Sequence, residues 1–479
     1  MPAVTTRHFC GAATIQDFTS GSITRHLMKT MSFMLLMMVF QTLYVLVDLY
    51  WVGRLGTASV AAVGIAGNLM FIVLALTQML SVGTTTVVAH AMGRRDRDAA
   101  RLGFNQSLSL SLLCGVLFLG AALALRMRYV STQSADAETA TQAARYLLWF
   151  IPAMALQFPF VAMSAALRGA GNFKLGVVVG ITTVVLNMVV APVLIFGWIG
   201  APALGIGGAA IASLIALVVG TVWLGLHFRG EPILAFARAE LAPRVVVWKR
   251  MLAIGLPAGF DFAMMAVYLF IVYAVTRPIG AAAQAGFGIG MRVLQAGVMP
   301  VVALGMSVSP IAGQNFGARL ADRVRHTFRD GALLGMVMML VFLIVCQLAA
   351  PALVGVFTRD PAAIEVGAQY LRIISWSFPA SGVIFVTNSM FQAMGNTLPS
   401  IATSLVRIVV VAAPVVVLAR QPGFALVTIW YLAAAAVFVQ LALALLLLRR
   451  EYGRRLRFAG VPAVDRTPAP ATPGAMVAE

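Results

Sequence analysis

A chain of 479 residues that is 61% hydrophobic and 10% charged, with a mean hydropathy of +0.94, carries more apolar surface than a soluble fold can bury. This excludes a soluble globular domain and predicts an all-α membrane protein that crosses the bilayer many times. The 34 Lys and Arg residues exceed the 16 Asp and Glu, giving a net charge of +18. Because they cluster in short loops, the excess marks one face of a membrane and not a nucleic-acid partner.

Residues 1–26 have no continuous apolar core and no small-residue cleavage pattern, and read as a retained, poorly ordered cytoplasmic arm. Twelve apolar stretches long enough to span about 30 Å of hydrocarbon follow. They cover 27–52, 58–92, 102–126, 139–167, 173–197, 205–228, 251–276, 282–316, 329–357, 363–393, 398–419 and 423–448. With residues at the span ends counted with the adjacent loop, 24 of the 34 basic residues fall on the side that holds both termini and six on the other, so both termini are expected in the cytoplasm. The remaining four, Arg145, Arg292, Arg372 and Arg407, fall within spans.

The chain resembles itself at one constant offset. Gly56, Ala58, Ala61, Gly64 and Ile65 land on Gly280, Ala282, Ala285, Gly288 and Ile289. With the same shift Gly93, Arg95, Asp98 and Arg101 land on Gly317, Arg319, Asp322 and Arg325, and Gly171-Asn172 on Gly395-Asn396. A single offset across half the chain points to duplication. Six spans per half is an even number, so the halves insert in the same sense, as two six-helix lobes related by pseudo-two-fold symmetry about the membrane normal. The expected organisation is an N-lobe over 27–228, a cytoplasmic connector over 229–250, a C-lobe over 251–448 and a basic, then Pro/Ala-rich tail over 449–479.

Only two acidic residues fall well inside the apolar pattern, Asp48 and Asp261. A carboxylate in hydrocarbon costs about 2.5–3.5 kcal/mol on insertion scales, which makes each a candidate functional residue. Gln41, Tyr44 and Asp48 share one helical face, so Tyr44 can donate to the Asp48 carboxylate in a bundle interior. Burial there favours the neutral acid and an approaching cation the ionised form, so one side chain can exchange a proton for a cation. The alternative is an end-of-helix charge beside Arg54. Asn187 and Ser213 can complete a hydrogen-bond network with Asp48 or serve as packing residues. Asp261, Met264, Met265 and Tyr268 lie close together on the seventh span, where polarizable Met side chains suit an adaptable apolar pocket. Arg292 and Arg407 have no acidic partner evident in the sequence.

Enzyme motifs are missing. GIGGAA at 205–210 has dinucleotide-loop spacing but follows no strand, so it reads as close helix packing. There is no P-loop, no HExxH and no Ser/His/Asp constellation. Cys10, Cys114 and Cys346 lie far apart, which argues against disulfide or zinc chemistry. No catalytic residue, metal or cofactor is expected, and the chain is read as no enzyme.

VDLYWVGRLGTASVAAVGIAG, LRGAGNFKLG, LNMVVAPVLIFG followed by LGIGGAAIAS, GLPAG and SPIAGQNFGA together resemble the multidrug and toxic compound extrusion family, over residues 27–448. The resemblance implies alternating access and export of amphipathic, often cationic small molecules in exchange for protons or sodium ions. Three lysines against 31 arginines and abundant Ala point to a GC-rich bacterial genome, and hence to a bacterial inner membrane. The resemblance assigns Asp48, Tyr44, Asn187 and Ser213 to the ion or proton site, with Gln41, Asp261, Met264, Met265 and Tyr268 left as substrate-contact candidates. Two positions depart from the family pattern: Ala191 stands where many members carry aspartate, and Met265 where many carry glutamate. One N-lobe acid favours proton coupling over a multi-carboxylate sodium site. Partners are expected to be substrates and membrane lipids, with no nucleic acid, and the protein to be a monomer. Rival readings are a lipid-linked precursor flippase or polysaccharide exporter of the same superfamily, a major facilitator, or a non-transporting receptor or scaffold.

Overall fold

The computed structural model describes residues 16–276, 281–418 and 426–458, with side chains described except at 261–263, 265–276, 281, 412–413, 415–418 and 426. Among the described residues the regular structure is entirely helical. The helices are α1 Ile23–Gly53, α2 Thr57–Gly93, α3 Arg97–Gln133, α4 Ala137–Ala170, α5 Phe173–Phe196 and α6 Ile206–Gly230. They continue as α7 Val245–Thr276, α8 Ala281–Gly317, α9 Ala321–Gly355, α10 Pro361–Ile374, α11 Phe378–Ala393, α12 Leu398–Leu418 and α13 Leu426–Arg455. Nine helices among the described residues are long and apolar enough to cross a membrane.

Each of the twelve predicted spans has a helical counterpart; α9 is kinked at Ala349 (φ −123°), just before Pro351, and one further span is split. The span over 363–393 divides at the 3-10 turn Ser375–Ser377, where Gln347 Nε2 donates to Arg372 O (2.7 Å) and to Ser375 Oγ (2.8 Å). These bonds hold the backbone as it leaves the regular α ladder.

Part of the arm, expected to be poorly ordered, and the connector are both docked on the helices. Phe18 is fully buried, its N–H donates to Gln314 Oε1 (3.1 Å), and its carbonyl accepts from Asn315 Nδ2 (3.1 Å) and Arg323 Nη2 (3.0 Å). Residues 16–22 are therefore ordered against α8 and α9, contrary to the expectation for the arm, and α1 starts before the predicted span, at Ile23, behind Ser22 as its N-cap. The connector lies on α3. Asn105 exchanges bonds with Ala235 O (3.0 Å) and Ala237 N (3.1 Å), and Gln106 accepts from Arg244 N (2.8 Å) and donates to Ala242 O (2.7 Å). Its last residues already form the first turns of α7.

The duplication is visible as a seam. A Cβ on Gly93 would overlap Gln314 O, and a Cβ on Gly317 would overlap His90 O. The two pairs interconvert by the offset that carries Gly93 onto Gly317, so α2 and α8 approach backbone to backbone about a local two-fold axis. Arg95 and Arg319 also match, both leaving their helix with φ near +58 to +59°. Hydrogen bonds between the first six helices and the rest run from Phe18–Gln314 at this end to Thr42–Met299, Oγ1 to Sδ 3.8 Å, part-way along α1. This end also holds the start of α1 and the end of α13, and here the halves are closed together.

Candidate functional site

Helix α1 has no glycine or proline before its last residue, so it carries its polar side chains on one uninterrupted frame. At 1.5 Å per residue, Asp48 stands about 8 Å from the end of α1 that lies away from the closed seam. Its neighbours Val45 and Leu46 are 55% and 60% exposed, as expected of an apolar side turned outward, whereas Tyr44 and Asp48 are half-buried.

Ser213 is the hub of the site. Gly208 lets α6 lie directly on α5, since a Cβ there would strike Leu194 O, and the chain closes back through Leu204 N to Leu194 O (2.9 Å). That contact sets Ser213 beside Asn187. Asn187 Nδ2 donates to Ser213 Oγ (2.9 Å), Ser213 Oγ donates to Ala209 O (3.2 Å), and Tyr44 Oη lies 3.3 Å from Ser213 Oγ. With the Ser213 proton used on Ala209, the tyrosine is the donor to Ser213. This corrects one expectation: the Tyr44 hydroxyl is committed to Ser213 and not to the Asp48 carboxylate.

Two buried acceptors are left over. Asp48 Oδ1 and Asn187 Oδ1 are sealed from solvent and have no hydrogen-bond partner among the described residues. A buried carboxylate oxygen without a donor is costly unless a proton or cation meets it. Sequence reasoning overlooked Tyr146, a fully buried residue of α4 close enough for the Asp48 charge to act on it. A lone tyrosine in an apolar helix reads as packing, so no sequence signal separated it. Arg54 is not the partner of Asp48. Its guanidinium donates to Tyr50 Oη (2.6 Å) and lies over the Tyr50 and Trp51 rings at 4.8 and 5.4 Å.

Gln41 is exposed and Met264 half-buried, while the side chains of Asp261, Met265 and Tyr268 lie outside the described residues. Arg292 is exposed on α8, and Arg407 is half-buried and engaged by a neighbour. Among the described residues no three His, Cys, Asp or Glu side chains converge. Ala191 is buried where the family pattern often has a second acid.

Two membrane-crossing helical repeats, with Asp48 held inside the first of them, are the architecture of a membrane transporter. The MatE family model matches residues 34–193 and 257–418, one match in each half. A probable multidrug resistance protein of Bacillus subtilis, YoeA, is 27% identical over 86% of this chain and 90% of its own length. A probable multidrug resistance protein of Thermotoga maritima, NorM, is 24% identical over 79% of this chain and 81% of its own. The solved structure of a MOP superfamily transporter from Pyrococcus furiosus superposes with a TM-score of 0.83 at 22% identity, over 92% of this chain and 98% of that one. The chain belongs to the MatE family of multidrug and toxic compound extrusion transporters, with twelve membrane-spanning segments in two six-helix lobes.

Proposed function

We propose that the protein is a secondary active exporter of amphipathic, cationic small molecules, coupled to proton uptake at Asp48. The observation that carries this reading is the sealed Asp48 Oδ1, which has no hydrogen-bond partner among the described residues; Asn187 Oδ1, on the Ser213 network, is likewise sealed and unpartnered among them. Both atoms only accept, so the site suits a proton or a cation and disfavours an anion. The YoeA and NorM relatives are described as multidrug resistance proteins, which supports the same class of cargo here.

In this reading the basic end and both termini face the cytoplasm of a bacterial inner membrane, consistent with the Lys and Arg distribution. The closed seam then corresponds to the outward-facing state. A proton reaching Asp48 from outside removes the charge that holds a cation and weakens cargo binding. The lobes, taken as 27–228 and 251–448, then rock to open the cytoplasmic seam, release the proton and reload. Ser213 holds Tyr44 and Asn187 in place so that Asp48 works as the single switching acid. The protein acts as a monomer in its lipid surroundings. Sodium is the competing coupling ion, and one acid in the N-lobe site favours the proton.

The test is efflux of a fluorescent organic cation from proteoliposomes under an imposed pH gradient. Wild-type protein should alkalinise the side from which protons are drawn as the cation leaves, with sodium absent. Asp48→Asn should fall to the background of empty liposomes. Undiminished transport by that variant would remove Asp48 from the mechanism.

A further inference from the structure

At the closed end, above the α2–α8 seam, lies a cavity of about 580 Å³ that the transport reading does not use. Four arginines from four different elements line it: Arg94 after α2, Arg250 on α7, Arg319 after α8 and Arg455 at the end of α13. His90 lies at its floor, under the charge of Arg94, Arg250 and Arg455 together. Phe316 and Phe458, with ring centroids 5.8 Å apart, form an apolar wall.

The cavity is short of negative charge. Glu451 approaches Arg455 Nε at 2.9 Å, and Arg455 Nη1 donates to Met394 O at 3.0 Å. The side chains of Arg94, Arg250 and Arg319 have no hydrogen-bond or ion-pair partner among the described residues. Membrane topology asks for basic residues on this face, but loops can meet that demand with charges spread apart. It does not require guanidinium groups from both repeats to converge on one concavity, where their mutual repulsion costs free energy.

We propose that this cavity binds a phosphate-bearing anion, either a phospholipid headgroup or a soluble phosphate, that ties Arg94 of the first repeat to Arg250 and Arg319 of the second. Guanidinium forks match phosphate oxygens in pairs, and the Phe316–Phe458 wall accommodates the organic part of an ester. Because its ligands come from both repeats, the anion binds better when the α2–α8 seam is shut. By linkage it therefore stabilises the closed seam. Binding itself does not depend on the transport reading; only its consequence for the cycle rests on that reading.

The test uses hydrogen exchange by mass spectrometry on the full-length, delipidated protein in detergent, read at residues 86–94 and 313–319. Inorganic phosphate, short-chain phosphatidylglycerol and short-chain phosphatidylcholine are compared with chloride at matched ionic strength. Exchange in these two segments should slow at least tenfold with phosphate or with phosphatidylglycerol. Slowing by phosphate identifies a soluble anion as sufficient, and slowing by phosphatidylglycerol alone identifies a lipid headgroup. The double substitution Arg94→Gln and Arg319→Gln should abolish the effect, and Arg94→Lys with Arg319→Lys should keep part of it. Arg250→Gln, a single surface change, should weaken the effect and guards against misfolding of the double variant. No slowing with either anion, equal slowing by phosphatidylcholine, or equal slowing in the glutamine variants would overturn the proposal. Asp48→Asn should respond to the anions as wild type does, so failure of the antiport reading and failure of this site are separable.

Discussion

His90 and Gln314 occupy the same place in the two repeats, and each crosses the seam to the other half. His90 Nε2 donates to Ala393 O (2.6 Å) and Gln314 Nε2 to Gly169 O (2.9 Å), and the acceptors are themselves equivalent positions of the two repeats. Both bonds must break if this end opens, so they form a symmetric latch. Gln314 also receives the Phe18 N–H. Gln314→Leu therefore leaves two buried backbone groups unpaired, at about 1–3 kcal/mol each. The expected result is faster hydrogen exchange at 16–20 and 167–172 and a lower melting temperature. Unchanged exchange there would exclude a latch.

The glycines beneath the latch make a companion prediction. Gly93 faces the Gln314 carbonyl and Gly317 the His90 carbonyl, with no room for a Cβ at either. Gly93→Ala and Gly317→Ala should each force α2 and α8 apart, at a cost of about 1–3 kcal/mol or more. The two-fold relation predicts similar losses. Thermal unfolding in detergent measures both, and a large loss from one with none from the other would mean that the seam is not symmetric in energy.

Ser213→Ala tests the hub of the site. It removes the acceptor of both Tyr44 and Asn187, leaving two polar groups without their partner at about 1–3 kcal/mol. Transport should fall by roughly tenfold, given about 1.4 kcal/mol per tenfold. Ser213→Thr keeps the hydroxyl and should retain most of the activity. Cation efflux rates for the three proteins decide the matter, and equal rates for Ala and wild type would reduce Ser213 to packing.

The membrane spans were legible because hydropathy repeats along the chain, and the constant shift that carries Gly56 onto Gly280 and Gly171 onto Gly395 exposed the duplication. Asp48 stood out because ionisable groups inside apolar runs are rare. The break between α10 and α11 was missed although Pro379, with its restricting effect on the residue before it, sits at the start of α11. The docking of the arm and the connector was not legible, since Gln314, Asn105 and Gln106 bond mainly to backbone groups, which leave no trace in residue identity. Tyr146 and the arginine cavity depend on side chains distant in sequence that meet only in the folded chain.

The turn between α3 and α4 lies outside the spans and offers a pH prediction. Asp136 is the N-cap of α4, accepting from Thr139 N (2.7 Å) on Oδ1 and from Thr139 Oγ1 (3.0 Å) on Oδ2. The Thr139 N–H first, and then its hydroxyl, hold this carboxyl below the usual carboxylate range. A folded-state value below the unfolded one stabilises the fold above the unfolded value, near pH 4, and that contribution is lost as pH falls through the folded value. Asp136→Asn keeps a capping oxygen but cannot titrate, so it isolates the charge. Wild type should melt at a higher temperature than Asp136→Asn near pH 6, and the gap should close as the pH drops below about 4. A gap that persists unchanged at about pH 2 would show that the cap acts through shape alone and not through the ionised carboxylate.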